Sequence, residues 1–329
     1  MNNTTSNAIS QNRTEVGYAN VQLTIAFSIC ILLCLIGLIG NITVFWYLCF
    51  KIKKNKYTIY IINLSVADFL FLIFSSLILM MYINTVMNRY PNFQGKKSLY
   101  LFLEIFYDIA QYSGMFILTA VSLERCLSVV FPFWYQCHRP EKLSTIISGS
   151  AWLLGCAESL IENLVCTSVA FSIHATKCTA VQIMTFGLSI GICLPIMVVS
   201  SIILLITVRR TFDQQYPTKF YIIIIIAVVI FISSVIPFNF AWFLIYFRLL
   251  PSDKVGVALH IASAYSTALN CTLDPYIYFL IGKKWKQKKN QSIQDALERA
   301  FRIENDETND SKSNQTTNTS SQIQLPSAF

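Results

Sequence analysis

Seven apolar segments, each long enough to cross a membrane, restrict what this chain can fold into. A helix needs about 20 residues to span the hydrocarbon core of a bilayer, and lipid leaves the backbone of a single segment no structure but a helix. The segments cover residues 23–50, 57–84, 98–130, 143–168, 180–210, 217–247 and 255–281. The sequence therefore predicts an all-α membrane protein, a bundle of seven transmembrane helices.

Charged residues are few, and the basic ones lie mainly between the apolar segments, as in membrane proteins. They make up 13% of the 329 residues, whereas 54% are hydrophobic; average soluble domains carry roughly 25% charged residues. The net charge of +8 could suggest a nucleic-acid partner. However, the basic residues form short clusters between the apolar segments, as they do in cytoplasmic loops. We therefore expect lipid as the main solvent and no nucleic acid as a partner.

Lysines and arginines in the links give an orientation. Basic clusters follow segments 1, 3, 5 and 7, and the positive-inside rule makes these links cytoplasmic. The amino terminus is then extracellular and the carboxyl terminus cytoplasmic, in the plasma membrane. The predicted parts are an extracellular tail (residues 1–22), a seven-transmembrane domain (23–282), an amphipathic helix (283–303) and a disordered cytoplasmic tail (304–329).

The first 22 residues are polar and suit an extracellular tail. They contain neither a separate apolar core nor a cleavage site, so we expect no removable signal peptide. Glycosylation sequons begin at Asn2, Asn3 and Asn12. Either at least one of them is glycosylated, or they reflect chance in an asparagine-rich stretch.

Two of the ten cysteines fall near the outer face, where the compartment is oxidising. Cys166 ends segment 4 and Cys178 precedes segment 5, so a disulfide between them would close the short loop and tie the two helix tops together. The alternative is a pair of buried free thiols. The top of segment 3 has no cysteine for such a bridge, because none lies between Cys49 and Cys126.

Short motifs in a fixed order resemble the rhodopsin-like G-protein-coupled receptors over nearly all of residues 23–300. Each motif is weak alone, and their order on seven segments makes the resemblance strong. They are Gly40–Asn41, LSVAD at Leu64–Asp68, Glu124–Arg125–Cys126, Trp152, Pro195, Pro237, and DPYIY at Asp274–Tyr278 in place of NPxxY. The resemblance implies a receptor without enzyme activity that binds an outer ligand and activates heterotrimeric G proteins.

One stretch narrows the resemblance further. SLERCLSVVFPFWYQCHRP, residues 122–140, is similar to the Mas-related receptor subfamily, whose version reads ERCLSVLxPxWYRCRRP. The Cys166–Cys178 spacing, the lack of a cysteine at the top of segment 3, and Val235 in place of a tryptophan before Pro237 are also similar to that subfamily.

Glu124 and Arg125 end the third segment, where a buried charge needs a partner. Pairing between the two would lower the cost of burying Arg125 in a closed state, and opening of the inner end would free Arg125 for a protein partner. A membrane-edge charge pair without a switching role is the alternative. The resemblance implies that the loop from Pro132 contacts the G protein. Further residues with implied activation roles are Pro237, Asp274, Pro275 and Tyr278.

Four acidic residues fall towards the outer half of the predicted bundle: Glu104, Asp108, Glu158 and Glu162. Asp108 is predicted about 24 Å above Glu124 on the same helix. Glu104 and Asp108 are one helical turn apart, and so are Glu158 and Glu162. Because no basic residue is predicted at this depth, a cavity there should attract cations. The alternatives are that Glu104 lies in interfacial water and that Glu158 bonds a neighbouring helix.

The resemblance implies cation binding by Glu162, the acid four residues before Cys166, and we rank it first. Its usual partner in one branch of the subfamily is an acid four residues after the second cysteine, but Gln182 stands there in this chain. This difference argues against strong selectivity for dibasic ligands. Glu158 and Asp108 are the next candidates, with Tyr107 as an aromatic wall. The predicted ligand is a cation, and a basic peptide fits that description.

Asn41, Asp68, Asn270 and Asp274 lie deeper, and we predict a polar cluster between segments 1, 2 and 7. Buried acids need such partners or take up a proton. The cluster holds either a sodium ion, as the resemblance implies, or only hydrogen bonds and water. Gly114 lacks the hydroxyl that many relatives place on segment 3. We expect no other cofactor or metal.

The cytoplasmic end divides into two parts. Residues 283–303 combine early basic residues with an apolar face, which predicts an amphipathic helix on anionic lipid. Residues from Thr308 to Ser321 include eight serines and threonines. Either receptor kinases phosphorylate them and arrestin binds, or the tail is passive and solvated.

Two rival functions have less support. GLSIG at Gly187–Gly191 matches the G-x-S-x-G motif of serine hydrolases, with Ser189 as nucleophile and His260 as base. However, it falls inside a predicted helix instead of on a strand-to-helix turn. A transporter or channel would show similar halves, which this sequence lacks. An opsin is excluded because segment 7 has no lysine between Lys254 and Lys283.

Overall fold

The computed structural model describes residues 2–52, 55, 57–87, 96–166, 176–210, 253–282 and 292–301, together with scattered positions between 225 and 249. This part of the chain is helical and contains no β-strand. Its elements are α1 (Asn2–Phe50), α2 (Thr58–Val86), α3 (Lys96–Val130), α4 (Pro132–Cys137), α5 (Leu143–Val165), α6 (Thr176–Phe186), a π-helix (Gly187–Cys193), α7 (Leu194–Arg210), α8 (Asp253–Gly282) and α9 (Ile293–Phe301).

Five helical stretches in the described part of the chain are long and apolar enough to cross a membrane. They are Asn20–Phe50, Thr58–Val86, Lys96–Val130, Leu143–Val165 and Thr176–Thr207. These stretches correspond to predicted segments 1 to 5. Segment 7 falls within α8, whereas most of segment 6 (217–247) lies outside the described residues.

The helices bury one face in the bundle and leave an apolar face outside. Leu32 and Ile39 on α1 and Leu153 on α5 are among the exposed large apolar side chains. A soluble protein would keep such side chains inside, whereas lipid tails are as apolar as leucine. The outer surface therefore suits hydrocarbon as its solvent.

α3 lies at the centre of the described bundle. It contacts α2, α5 and α7, while α1 packs against α2 and α8. One apolar cluster forms around Phe27 and Phe71, and a second around Leu48 and Val121, towards the other end of the helices. The central position of α3 makes its two ends the places where side chains from several helices meet.

Glycine permits the closest helix contacts. Gly155 on α5 faces Ser113 on α3, and a Cβ atom at Gly155 would lie 2.8 Å from the backbone nitrogen of Ser113. Gly37 on α1 faces Leu72 on α2 in the same way, with 2.7 Å between such a Cβ and Leu72 Cδ1. Small residues let membrane helices approach closely, so Gly155 sets the distance between the two helices that carry the outer acids.

A π-helix interrupts the fifth span at Gly187–Cys193. Ser189 is buried within it, and its hydroxyl donates to the carbonyl oxygen of Phe186 at 3.2 Å. The GLSIG motif is therefore helical, as predicted, and lacks the turn on which a serine hydrolase presents its nucleophile.

A short helix, α9, follows the seventh span. It packs against α8 and α1, and Ala296 and Leu297 are buried against the bundle while Ile293 remains exposed. The structure thus contains a helix within the predicted amphipathic region 283–303. Residues 283–291 of that region lie outside the described part of the chain.

Candidate functional site

Acidic side chains from two helices come together at one end of the bundle. Glu104 and Asp108 lie one turn apart on α3, and Glu158 and Glu162 lie one turn apart on α5. The first three all interact electrostatically with Glu162. Among the described residues, none of the four forms an ion pair with a lysine or arginine. We call these four residues the outer acidic cluster, and its uncompensated charge favours cations.

Glu162 connects three helices. The hydroxyl of Tyr112 on α3 donates to Oε2 of Glu162, and the side-chain amide of Gln182 on α6 donates to Oε1 at 2.9 Å. Gln182, which replaces an expected acid, is buried and serves as a hydrogen-bond donor. Both carboxylate oxygens of Glu162 therefore already have partners within the protein.

Asp108 is held by a neighbour on α5. The amide of Asn163 donates to Oδ2 of Asp108 at 2.7 Å and also to the carbonyl oxygen of Ser159 at 3.0 Å. The Ser159 hydroxyl in turn donates to the carbonyl oxygen of Ile105 at 2.8 Å. Asn163 was not predicted from the sequence, although an amide inside an apolar span is itself a signal of a buried partner.

Tyr112, which was not predicted, donates a hydrogen bond to an acid of the cluster, whereas the predicted Tyr107 mainly packs elsewhere. Tyr107 packs against Phe71 of α2, with ring centroids 4.7 Å apart, and belongs to the apolar cluster between α1 and α2. Residues one position apart on a helix face different directions, whereas residues four apart share a face. Tyr112 lies four residues after Asp108, so both side chains are on the same face of α3. Tyr107 directly precedes Asp108 and projects in a different direction.

Glu158 is the acid of the cluster whose hydrogen bonding is weakest in the described part of the chain. Its side chain is buried, with 4% of the residue exposed, and neither Oε1 nor Oε2 accepts a hydrogen bond. Thr185 of α6 lies close enough to interact with it, yet the Thr185 hydroxyl also forms no hydrogen bond of normal geometry. This contact with Thr185 is consistent with the alternative that Glu158 bonds a neighbouring helix.

A disulfide closes this end of the bundle. Cys166 follows α5 directly and Cys178 lies in the first turns of α6, with 5.0 Å between their Cα atoms. The bond joins the helix of Glu162 to the helix of Gln182. The predicted bridge is therefore present, and it ties together the two helix ends that flank the outer acidic cluster.

Deeper in the bundle, Asp68, Asn270 and Asp274 surround a cavity of about 20 Å³. Asp68 Oδ2, Asn270 Oδ1 and Asp274 Oδ1 are buried and accept no hydrogen bond from the described residues. Thr267, which was not predicted from the sequence, also lines the cavity. A space of this size accommodates about one water molecule or small cation. Its ligands would all be oxygen atoms.

Asn41, the fourth member of the predicted polar cluster, joins segments 1 and 7 but does not line this cavity. Its amide donates to the carbonyl oxygens of Cys271 at 2.9 Å and Gly37 at 3.0 Å, and it does not line the cavity. The reason is that Gly37 precedes it by one turn and lets α8 approach α1 closely, so the amide reaches the α8 backbone first. Asn41 therefore links α1 to α8 and is not part of the cavity wall.

At the opposite end of α3, Glu124 is the centre of a buried hydrogen-bond network. Arg139 approaches Oε1 of Glu124 with Nη2 at 2.5 Å and donates from Nε at 2.8 Å. The hydroxyl of Tyr135 donates to the same oxygen at 2.6 Å, and that of Tyr60 donates to Oε2. Burial raises the pKa of the Tyr135 phenol, which keeps its proton available for this bond. The network joins α2, α3 and α4.

The predicted pair between Glu124 and Arg125 is wrong in this structure. Arg125 is buried, with 2% of the residue exposed, and its guanidinium carbon lies 3.0 Å from the centre of the Tyr57 ring. Neighbouring residues on a helix project in different directions and do not face each other. Glu124 therefore bonds Arg139, which comes from the following loop, and Arg125 forms a cation–π contact instead.

The loop after α3 forms the short helix α4, with Pro132 in its first turn. Phe133 is 73% exposed, and Phe131 and Trp134 are also exposed, whereas Tyr135 is buried against the bundle. Tyr135 and Arg139 thus fix this loop through Glu124 while its other aromatic side chains point outward. Three exposed aromatic residues in one turn form a surface that suits a protein partner.

Some predicted residues have a defined packing role, and others lie outside the described part of the chain. Pro275 lies inside α8 and packs at Gly40, where an added Cβ would come within 3.1 Å of it. Tyr278 is buried. Pro237, the tail after residue 301, and the side chains of Asn2, Asn3, Asn12 and His260 are outside the described residues.

Comparison with known proteins agrees with this arrangement. Residues 40–278 match the 7 transmembrane receptor (rhodopsin family). The chain is 32% identical over 291 residues to Proto-oncogene Mas of Homo sapiens, which covers 88% of this chain and 87% of that protein. It is 32% identical over 274 residues to Mas-related G-protein coupled receptor member D of Mus musculus, covering 82% and 84%. For member A of Rattus norvegicus the identity is 31% over 297 residues, covering 88% and 93%.

Proposed function

The chain belongs to the rhodopsin family of seven-transmembrane receptors and, within it, to the Mas-related G-protein-coupled receptors, and we propose that its ligand is an extracellular cation bound at the outer acidic cluster. It is a multi-pass protein of the plasma membrane and not an enzyme. Its partners are an extracellular ligand and a heterotrimeric G protein.

The observation that carries the ligand proposal is the lack of a counter-charge. Four carboxylates lie together, three of them interacting with Glu162, and no described lysine or arginine pairs with them. Like charges that lie close together repel one another in a medium of low dielectric constant. A bound cation lowers that repulsion, so an amine or a basic peptide is the class of ligand we expect.

The proposed transducer surface is the opposite end of α3 together with α4. The exposed aromatic residues of α4 offer apolar contact area to a G protein, and Arg125 is buried on Tyr57 in this arrangement. A movement that separates α3 from Tyr57 would expose the guanidinium to the partner. Ligand binding then acts by shifting the population between the two helix arrangements.

A ligand screen with two variants tests this function. We expect at least one basic peptide or amine to activate a G protein in cells that report several G-protein classes, and neutral analogues of the same size to be inactive. Arg125→Ala should reduce the response by more than about tenfold at equal surface expression. Lys142→Ala, at an exposed basic residue of the same end, should respond as the wild type does. Equal activation by neutral analogues, or full activation of Arg125→Ala, would reject the proposal.

The orientation is part of the proposal. An extracellular amino terminus puts the outer acidic cluster on the ligand side and makes Asn2, Asn3 and Asn12 accessible to glycosylation. We expect an antibody to bind an amino-terminal epitope tag on intact cells and a carboxyl-terminal tag only after permeabilisation. The reverse staining pattern would place both proposed surfaces on the wrong sides of the membrane.

Sodium is a further proposal for the deep cavity. Asp68, Asn270, Asp274 and Thr267 would hold the ion, because each presents an oxygen atom at the cavity and a hard cation prefers oxygen ligands. Bound sodium would neutralise charge between α2 and α8. A dependence of agonist affinity on sodium concentration that Asp68→Asn removes is the corresponding measurement.

The carboxyl-terminal region supports two lesser proposals. We expect the helix that includes α9 to lie at the cytoplasmic surface of the membrane, with its buried face on the bundle and Ile293 towards lipid. We expect receptor kinases to phosphorylate the tail between Thr308 and Ser321 and arrestin to bind there. Undiminished arrestin recruitment after alanine replacement of the eight hydroxyl residues would reject the second of these.

A further inference from the structure

Two tyrosine rings lie parallel to each other at the Glu124 end of α3. Tyr57 directly precedes α2 and Tyr135 belongs to α4; their ring planes differ by 5° and their centroids are 6.5 Å apart. Carbon atoms in contact are about 3.5–4.0 Å apart, so this separation is too large for the two rings to lie face to face on one another. One flat group fits between rings at that distance.

The guanidinium of Arg125 is the flat group beside these rings. Its central carbon lies 3.0 Å from the centroid of Tyr57, and Arg125 also interacts electrostatically with Tyr135. On a line between the two centroids, this carbon would be about 3.5 Å from the Tyr135 ring, an ordinary contact distance. All three residues are buried. A planar guanidinium stacks on aromatic faces, most strongly where water is excluded.

The geometry points to Tyr57 and Tyr135 as positioning residues that hold the Arg125 guanidinium between their two rings, and we call this arrangement the aromatic clamp. With a ring on each face, the guanidinium cannot turn towards a protein partner until one ring leaves. The contact with Tyr57 alone covers only one face. This inference rests on the proposed function, because it states what keeps Arg125 from the G protein before activation.

Tyr135 is the ring that a partner can move. Tyr57 stands at the start of α2, which packs against α1, α3 and α5. Tyr135 lies in one helical turn with the exposed Phe133 and with Phe131, whose carbonyl oxygen accepts a bond from the Tyr135 backbone amide at 3.0 Å. A partner that binds the exposed aromatic side chains and shifts α4 therefore also shifts Tyr135. Contact at α4 and release of Arg125 are coupled through a single short helix.

Basal G-protein activation tests the clamp with a matched pair of variants. Tyr135→Leu removes the ring and the hydroxyl, whereas Tyr135→Phe removes only the hydroxyl that binds Glu124. We expect Tyr135→Leu to raise basal activation about tenfold at equal surface expression, because one face of a buried cation–π contact is lost, and Tyr135→Phe to raise it much less. Equal basal activation in the two variants would overturn the clamp, since the ring would then make no difference.

The other ring provides an independent pair if Tyr135→Leu folds poorly. Tyr57→Leu should also raise basal activation, and Tyr57→Phe, which keeps an aromatic face for Arg125, should raise it much less. Basal activation in Tyr57→Leu that stays at the wild-type level would contradict the clamp.

The melting temperature of the purified full-length receptor separates the clamp from the proposed function, because this measurement needs no G protein. We expect Tyr135→Leu to lower the melting temperature further than Tyr135→Phe does. This difference should be smaller in the Arg125→Met background, because residues in contact are energetically coupled.

The outcomes of that comparison lead to different conclusions. An equal difference in both backgrounds would show that Arg125 does not contact the Tyr135 ring, and it would overturn the clamp whatever the ligand screen shows. If the differences are unequal but Arg125→Ala keeps the full agonist response, the clamp stands and the proposed transducer role of Arg125 fails. A smaller difference in the Arg125→Met background, together with raised basal activation in Tyr135→Leu, would support both.

Discussion

Replacement of Gly155 with alanine is expected to leave little folded receptor at the cell surface. A Cβ at this position would lie 2.8 Å from the backbone nitrogen of Ser113 and would contact the Ser113 hydroxyl even more closely. Backbone cannot rotate away as the end of a flexible side chain can, so α3 and α5 must separate. Overpacking in a well-packed interior costs about 1–3 kcal/mol, and the displacement here would reach the whole interface.

The same displacement should disturb the outer acidic cluster. Asp108 and Asn163 bond across the interface that Gly155 permits, and Tyr112 reaches Glu162 across it. Cationic agonists should therefore lose affinity in whatever Gly155→Ala receptor does reach the surface. Surface expression measures the loss of folded receptor, the melting temperature measures the cost of separating α3 from α5, and agonist affinity measures the disturbance of the outer acidic cluster.

Gly149 provides a matched control on the same helix. A Cβ there would meet no atom within 4 Å, so Gly149→Ala changes only the helix propensity, by about 1 kcal/mol in favour of the helix. We expect Gly149→Ala to be expressed at least as well as the wild type. Similar behaviour of the two alanine variants would show that the α3–α5 contact tolerates separation.

The sequence predicted those parts of the fold that depend on composition and length. Segments 1 to 5 become helices because each is apolar over more than the thickness of a bilayer. The grouping of Glu104 and Asp108 with Glu158 and Glu162 was also predictable, since depth in a membrane follows from counting residues along two antiparallel spans. Depth alone, however, does not say which way a side chain points.

The errors arise from side-chain direction and helix register. Glu124 and Arg125 are adjacent in sequence, but adjacent residues on a helix do not face each other, and this rule already argues against the pair. Tyr107, predicted as an aromatic wall, packs on Phe71 of α2, whereas Tyr112, four residues after Asp108, bonds Glu162. Asn41 bonds the backbone of α8 and does not line the polar cavity because Gly37 lets that helix approach. A single sequence does not reveal this contact, since the two residues are 230 positions apart.

The second large effect is expected at the ion pair between Arg139 and Glu124, which is present instead of the predicted pair between Glu124 and Arg125. Arg139 and Glu124 have side chains that are 4% and 5% exposed, and two tyrosine hydroxyls complete the hydrogen bonding of the carboxylate. Removing one partner of a buried pair leaves an uncompensated charge, at a cost of about 3–5 kcal/mol. We therefore expect Glu124→Gln to lower the melting temperature of the receptor strongly and to detach α4 from the bundle.

A double-mutant cycle distinguishes this explanation from the idea that Glu124 restrains Arg125. Combining Glu124→Gln with Arg139→Met removes both charges and should restore much of the stability lost in Glu124→Gln alone. If Glu124 restrained Arg125 instead, Arg139→Met would not compensate, and the effects of the two substitutions would add within about 0.5 kcal/mol. Basal G-protein activation provides a second readout. If Glu124→Gln only released Arg125, basal activation would rise while the stability of the receptor stayed normal. If Glu124→Gln breaks the pair with Arg139, the stability of the receptor should fall.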